Sequence, residues 1–316
     1  MKIKLVTPAP ANARNGNRAT ADRWAKILRQ LGHLLQVEQS YDGGECDVLI
    51  ALHARRSFDS ISQFREKHPD LPLIVVLTGT DLYRDIRTNA NAQKSLEWAT
   101  RLIVLQSMGL AELPRRLHSK TRVIYQSVPP ISAQGRPPRT EFQVCVIGHL
   151  RPEKDPMRTA MAARLLPASS KIKVIHIGRA LSREMETRAR EEARRNPRYH
   201  WVRDLPHWKT MEVLRRSHLL SLTSRMEGSS NVLGESIVLS VPVVASRISG
   251  LVGTLGENYP AYYPVGDTRA LAELLLKVES DPKLYAELRN YCARLRPLVK
   301  PERERSAWKA LLRELT

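Results

Sequence analysis

The chain has 316 residues, 42% hydrophobic and 26% charged. That balance excludes disordered, collagen-like and low-complexity classes and leaves room for two domains of ~150 residues each. Charge is the outlying quantity: 51 Lys+Arg against 32 Asp+Glu give +19, a field that draws anions without specifying which.

In chain order, apolar runs at 3–7, 47–52, 73–78, 102–105 and 123–125 alternate with amphipathic stretches at 20–31, 57–67, 90–99 and 108–117. Short runs rich in Val and Ile, bounded by turn residues, read as buried parallel strands. Strand–helix alternation reads as a doubly wound α/β sheet. Residues 127–140 then carry four prolines, Pro129, Pro130, Pro137 and Pro138, together with Gly135. Neither a helix nor a central strand runs through such a stretch.

The pattern restarts beyond it. Strands are predicted at 143–148, 173–178, 219–222, 241–245 and 261–264, and helices at 155–166, 182–195, 209–216, 234–239 and 267–279. Helical sequence, broken at Pro297 and Pro301, follows Pro282. The expected organisation is a first α/β domain (1–130), a linker (131–141), a second α/β domain (142–282) and C-terminal helices (283–316). Two such halves about a hinge imply a cleft, because ligands of open α/β sheets sit beyond the carboxyl ends of the strands.

The densest chemistry lies at 224–250, SRMEGSSNVLGESIVLSVPVVASRISG. Glu227 and Glu235 are eight apart, a spacing shared by Glu184/Glu192 and Glu279/Glu287 and so without meaning alone. Only Glu227 follows a strand-like run and precedes a small-residue loop, Gly228-Ser229-Ser230, that leads through Asn231 and Val232 into a helix. A helix start offers free N–H groups and partial positive charge to a phosphate. Glu235 is then placed to accept two ribose hydroxyls, and Glu227 to meet a sugar. A second segment, VIGHLRPEKDP at 146–156, ends a strand at Gly148 and projects His149, Arg151 and Lys154 where a diphosphate could rest. Cations there offset charge on a departing phosphate. No HExxH, Cys/His pair or Asp-rich loop calls for a metal, and no cofactor is expected beyond a sugar-nucleotide substrate.

These segments resemble the donor half of the GT-B nucleotide-sugar glycosyltransferases that carry a Glu-x7-Glu motif. The resemblance rests on Gly148…Lys154, Glu227/Glu235, the Val-Pro-Val-Val strand at 241–244, and Val265-Gly266-Asp267 with Leu271-Ala272. It covers about residues 143–282. It implies two Rossmann-like domains facing across a cleft, with C-terminal helices able to cross back. It also implies a UDP-sugar donor, Lys154 and a nearby Arg on the diphosphate, Glu235 on ribose and Glu227 by the transferred sugar. Many relatives carry Arg directly after the glycine; here His149 stands there, and Arg151 is the residue placed to supply that charge.

The N-terminal half narrows the match. Asn15-Gly16-Asn17-Arg18-Ala19-Thr20 opens the first helix, with Arg14 and Arg18 adding charge; HARRS at 53–57 ends the third strand; GTDLY at 79–83 ends the fourth. Gly16, Asn17, Arg18, Thr20, His53, Arg55, Thr80 and Asp81 are the expected acceptor-binding residues, and Glu227, Lys154 and His53 the expected catalytic ones. With these segments the whole chain resembles the selenosugar synthases of selenoneine biosynthesis. That implies coupling of selenophosphate to UDP-N-acetylglucosamine or UDP-glucose with formation of a carbon–selenium bond. An ionised selenium nucleophile needs positioning and charge neutralisation more than a general base.

Rival readings are the same fold with a hydroxyl acceptor, a non-catalytic nucleotide-sugar sensor, and a nucleic-acid binder. Aromatic residues are only 5% and no basic stretch is interleaved with Tyr or Phe, so nucleic acid is not the expected partner. No apolar run approaches the ~20 residues of a membrane span, and the apolar start at Ile3 is too short for a signal peptide. Three scattered cysteines, Cys46, Cys145 and Cys292, fit neither a disulfide framework nor a metal spacing. A cytoplasmic location is the expectation, with the cysteines as core residues rather than selenium carriers.

Overall fold

The structure, a computed structural model, describes residues 1–13 and 15–315. In chain order it contains β1 (Lys2–Val6), α1 (Gly16–Gln30), β2 (Leu34–Glu38), β3 (Val48–Leu52), α2 (Phe58–Lys67) and β4 (Leu73–Leu77). A π-helical turn (Asp81–Asp85), α3 (Ile86–Thr88), α4 (Ala90–Trp98), β5 (Arg101–Val104) and β6 (Thr121–Val123) follow. The second series is β7 (Phe142–Ile147), α5 (Arg158–Ala163), β8 (Ile172–Ile177), α6 (Arg183–Arg195), β9 (Tyr199–Arg203), α7 (His207–Arg215) and β10 (Leu219–Leu222). It continues with α8 (Asn231–Leu239), β11 (Val243–Ser246), α9 (Ser249–Leu255), β12 (Tyr262–Tyr263), α10 (Thr268–Ser280), α11 (Pro282–Leu295) and α12 (Pro301–Arg313).

Two compact units result. The first comprises residues 1–127, 227–229 and 300–316; the second comprises 128–226 and 230–299. Each holds one six-stranded sheet, in the orders β2-β1-β3-β4-β5-β6 and β12-β11-β10-β7-β8-β9. Every paired strand is parallel. The central runs VLIAL of β3 and LIVVL of β4 are buried at every position, as a sheet covered on both faces requires.

The division differs from the expected one in three places, the first being residues 227–229, which belong to the first unit rather than to the second domain. The proline-rich stretch belongs to the second unit, and Ile131 and Ala133 pack on that unit's core. The C-terminal helices do not form a piece of their own: α11 lies in the second unit and α12 in the first. The helix expected at 108–117 is only two short turns, Ser107–Gly109 and Arg115–Leu117. Pro114 between them cannot donate to a continuing helix.

One face of the first sheet packs Ile3, Leu5, Ile50 and Ile74 against Trp24 and Leu28 of α1 and Trp308 of α12. The two tryptophan rings meet edge to face at 4.8 Å. Beside them the buried carboxylate of Glu304 accepts from Trp24 Nε1 (2.6 Å), from the Ser127 amide (2.9 Å) and from the Ser127 hydroxyl, and pairs with Arg23 (3.2 Å). Removing it orphans several donors in a dry site, each costing ~1–3 kcal/mol. Glu304→Ala is therefore expected to destabilise the fold by ~3 kcal/mol or more, read as a lowered midpoint in denaturant unfolding. A change within error would show that water replaces the carboxylate.

Candidate active site

In the second unit, β7 delivers the chain to Gly148. That carbonyl is crowded: a Cβ on Gly178 would stand 1.9 Å from Gly148 O, so only glycine fits at 178. The following turn, Pro152–Lys154, closes with Asp155 in the left-handed region at φ 44°. The methylene stem of Lys154 runs along Gly148, 3.8–3.9 Å from where a Cβ there would sit. The end of β10 clamps this turn. Thr223 Oγ1 donates to Lys154 O (2.8 Å), and the Arg225 amide donates to Glu153 O (2.8 Å). Arg158 ties Asp155 (2.9 Å) to Thr268 at the start of α10. Spacing alone names Lys154, but not the Thr223, Arg225 and Arg158 supports that set its position.

The neighbouring groups divide by exposure. His149 Nδ1 accepts the Arg179 amide (3.2 Å), which puts the proton of the neutral ring on Nε2. Arg151 is exposed, with no side-chain partner among the described residues. Ser230 caps α8, its hydroxyl accepting the Leu233 amide (3.4 Å), so the amides of Asn231 and Val232 lie at the open start of the helix. Glu235 sits about one turn further on, and its Oε1 is 2.8 Å from Nε2 of His207, the first residue of α7. This hydrogen bond raises the His207 pKa, against the effect of burial. The sequence offered no signal for His207, which stands far upstream and meets Glu235 only through packing.

Glu227, Gly228 and Ser229 group with the first unit, not with Glu235. Gly228 lies on the end of β4: a Cβ there would fall 2.2 Å from Thr78 O and 2.9 Å from Gly79 N. Glu227 is buried, at 8% exposure. The Tyr83 pKa is driven up by burial first, then by the charges of Glu112 and Glu227.

The expected acceptor residues serve different purposes. Asp81 is wholly buried and its carboxylate accepts the amides of Thr78 (3.0 Å), Gly79 (2.8 Å) and Ala54 (3.0 Å). It fastens the ends of β3 and β4 together rather than facing a ligand. His53 is held at φ 74°, a conformation uncommon outside glycine. Its Nε2 lies 2.9 Å from Thr80 Oγ1, and its Nδ1 accepts the Arg56 amide (3.3 Å). Burial lowers its pKa despite the nearby Asp81, which leaves a neutral ring donating from Nε2 to Thr80. Arg55 is bound to Asp85 (2.7 Å) and Arg18 to Asp22 (2.7 Å). Thr20 is buried, donating to Gly16 O and accepting from Gln126. Gly16 and Asn17 open α1 under the Asn15 cap. Arg14 lies outside the described residues.

Among the described residues no three His, Cys, Asp or Glu side chains converge as a metal site. No helix there is long and apolar enough to cross a membrane. All three cysteines are buried, and burial pushes the Cys145 and Cys292 thiols up to about 12 and Cys46 up to about 11.

The model of the glycosyl transferases group 1 family matches residues 128–294, just over half the chain. The chain belongs to that family. No curated protein matches it in sequence. Its fold is shared with Anabaena HepE, crystallised with UDP and glucose (TM-score 0.77, 15% identity, 99% of this chain and 100% of that one). The sucrose-phosphate synthase of Thermosynechococcus elongatus is also similar (0.81, 16%, 99% and 98%), as is a glycosyltransferase of Rickettsia africae (0.71, 13%, 99% and 98%). At such identities the likeness establishes the GT-B architecture.

Two measurements check this geometry. Gly228→Ala forces a methyl into the Thr78 carbonyl, so the loop must shift; activity is expected to fall at least about tenfold while most of the stability is kept. Unchanged turnover would separate the loop from the chemistry. For His207 the folded pKa is raised, so its stabilising pair with Glu235 is fully formed below the ordinary pKa and lost as pH rises through the raised one. His207→Ala is expected to lower the melting point more at about pH 6 than at about pH 8.5, by under ~1 kcal/mol because the histidine is largely exposed. An equal loss at both pH values would remove the pair.

Proposed function

We propose that this glycosyltransferase takes its sugar from a UDP-sugar and transfers it to selenophosphate, forming a carbon–selenium bond. The observation that carries the donor half is the Lys154 turn, laid along Gly148 and clamped by Thr223 in the same unit as the open start of α8. Lys154 and Arg151 neutralise the diphosphate, with His149 beside them. Gly228, Ser229, Ser230, Asn231 and Val232 supply the small-residue loop and amides. Glu235 accepts ribose hydroxyls, and Glu227 attends the sugar. UDP as the carrier agrees with HepE, which has been crystallised with UDP, UDP-glucose, and UDP with glucose. UDP-N-acetylglucosamine and UDP-glucose are the proposed donors.

The selenophosphate half is supported by the resemblance across the HARRS and GTDLY segments and by the amides at Gly16 and Asn17. In the reaction a selenium lone pair forms the bond to the anomeric carbon, and the carbon–oxygen bond breaks with its electrons leaving on UDP. Water later cleaves selenium from phosphorus, releasing phosphate. His53 and Thr80, fixed by Asp81, form the floor of the proposed acceptor pocket. A second reading, transfer to a hydroxyl, is favoured by one observation: Arg18 and Arg55 already have carboxylate partners.

The deciding assay is UDP release by purified protein with selenophosphate and, separately, with sugar, lipid and small-metabolite hydroxyls, with the selenium followed into product. UDP release only with a hydroxyl would overturn the selenium reading and leave the transferase standing; no UDP release with any acceptor would leave a sensor. Lys154→Ala is expected to cut turnover by ~100-fold, about 3 kcal/mol of transition-state stabilisation, with unchanged circular dichroism. Arg18→Ala is expected to raise KM for selenophosphate and not for the UDP-sugar; the reverse would reverse the acceptor assignment.

A further inference from the structure

At the amino ends of the second sheet's strands, opposite the edge that carries Lys154, lies a cavity of about 560 Å³. Its walls are the segment from Gly135 to Arg139, the residues that lead into β10 and β11, and the exposed side of α11. The volume is that of a metabolite site. Its chemistry is one-sided: Arg136, Arg139, Arg215 and Arg289 line it, with His218 and Tyr285, and no acidic residue does.

Many arginines elsewhere meet carboxylates, as in Arg190–Glu186, Arg122–Glu314 and Arg158–Asp155, and others, such as Arg65 and Arg198, are held by several backbone carbonyls. Here Arg136, Arg139 and Arg289 have no acidic partner among the described residues. The Arg215 side chain donates to Leu239 O (2.9 Å), its only side-chain partner among the described residues. Like charges gathered around one hollow repel unless an anion enters. The wall is also built. The proline-rich segment is laid onto Arg216: a Cβ on Gly135 would stand 2.5 Å from Arg216 Nε. His218 Nδ1 accepts the Gln143 amide (3.0 Å), and Phe142 stacks on its ring at 4.7 Å. That leaves Nε2 carrying the proton as a further donor.

We propose that this cavity is a binding site for a soluble oligophosphate, a small molecule bearing two or more phosphate groups, separate from the sugar-nucleotide site. Planar guanidinium forks suit phosphate oxygens, and several fixed cations favour a ligand of more than one negative charge. The site does not depend on the reading of the donor half.

The test is calorimetric titration of the full-length protein with tripolyphosphate. The wild type is expected to bind at least about tenfold more tightly than R136A/R139A/R289A, whose exposed substitutions leave the melting point unchanged. R183A/R188A/R194A, which removes the same charge from α6, and K154A are both expected to bind like the wild type. Equal weakening in the α6 variant would reduce the effect to net charge, and loss in K154A would place the ligand on the Lys154 turn; either overturns the proposal. So would no binding by the wild type, or binding to phosphatidylglycerol vesicles without binding to tripolyphosphate.

Discussion

Parallel pairing is the constraint on which the rest depends. With every strand of a sheet running the same way, all carboxyl ends fall on one edge, and every loop leaving that edge starts near its neighbours. Gly148 after β7, Thr223 after β10, and Gly79 after β4 are where they are for this reason. A reversed strand would send the Lys154 turn or the Thr80 loop to the far side. The second requirement is close backbone approach at those ends, met by glycines at 178 and 228 that no other residue could replace without displacing a carbonyl.

Polar groups near the strand ends separate into those that hold and those that remain to act. Asp81 and Thr223 turn their oxygens toward backbone atoms and fix loops. Among the described residues, the open amides of α8 and the exposed Arg151 are not used in this way. Glu235 is intermediate: its carboxylate is engaged with His207, an exchangeable partner near the surface rather than a buried one. In the proposed donor site a ribose hydroxyl would compete with that imidazole for the same oxygen, and the protonation of His207 would then enter the affinity.

Much of this was legible in the amino-acid order, and the gaps have physical causes. Buried strands such as β3 and β4 announce themselves because both faces must be apolar. Two of the four edge strands do not: β2 exposes Leu34 and β9 exposes Val202, so LLQVE and YHWVR do not read as apolar runs. The helix α9, SGLVGTL, hides behind two glycines. The Lys154 turn and the small-residue loop ahead of α8 were readable from local chemistry; the Ser230 cap was not. The spending of Asp81 on three amides was not, because sequence identifies a polar residue but not the direction it faces. Nor could eight-residue spacing tell that Glu227 and Glu235 fall in different compact units.

The placement of α12 has a consequence for biosynthesis. Trp308 completes a hydrophobic face made otherwise by the first hundred or so residues, and Glu304 satisfies the amide at Ser127. The half of the molecule translated first can therefore close one face of its sheet with residues 6–123 alone, but the other face waits for residues 300–315. A ribosome stalled before codon 300 would hold a polypeptide whose nascent amino-terminal half still presents Trp24 to chaperones.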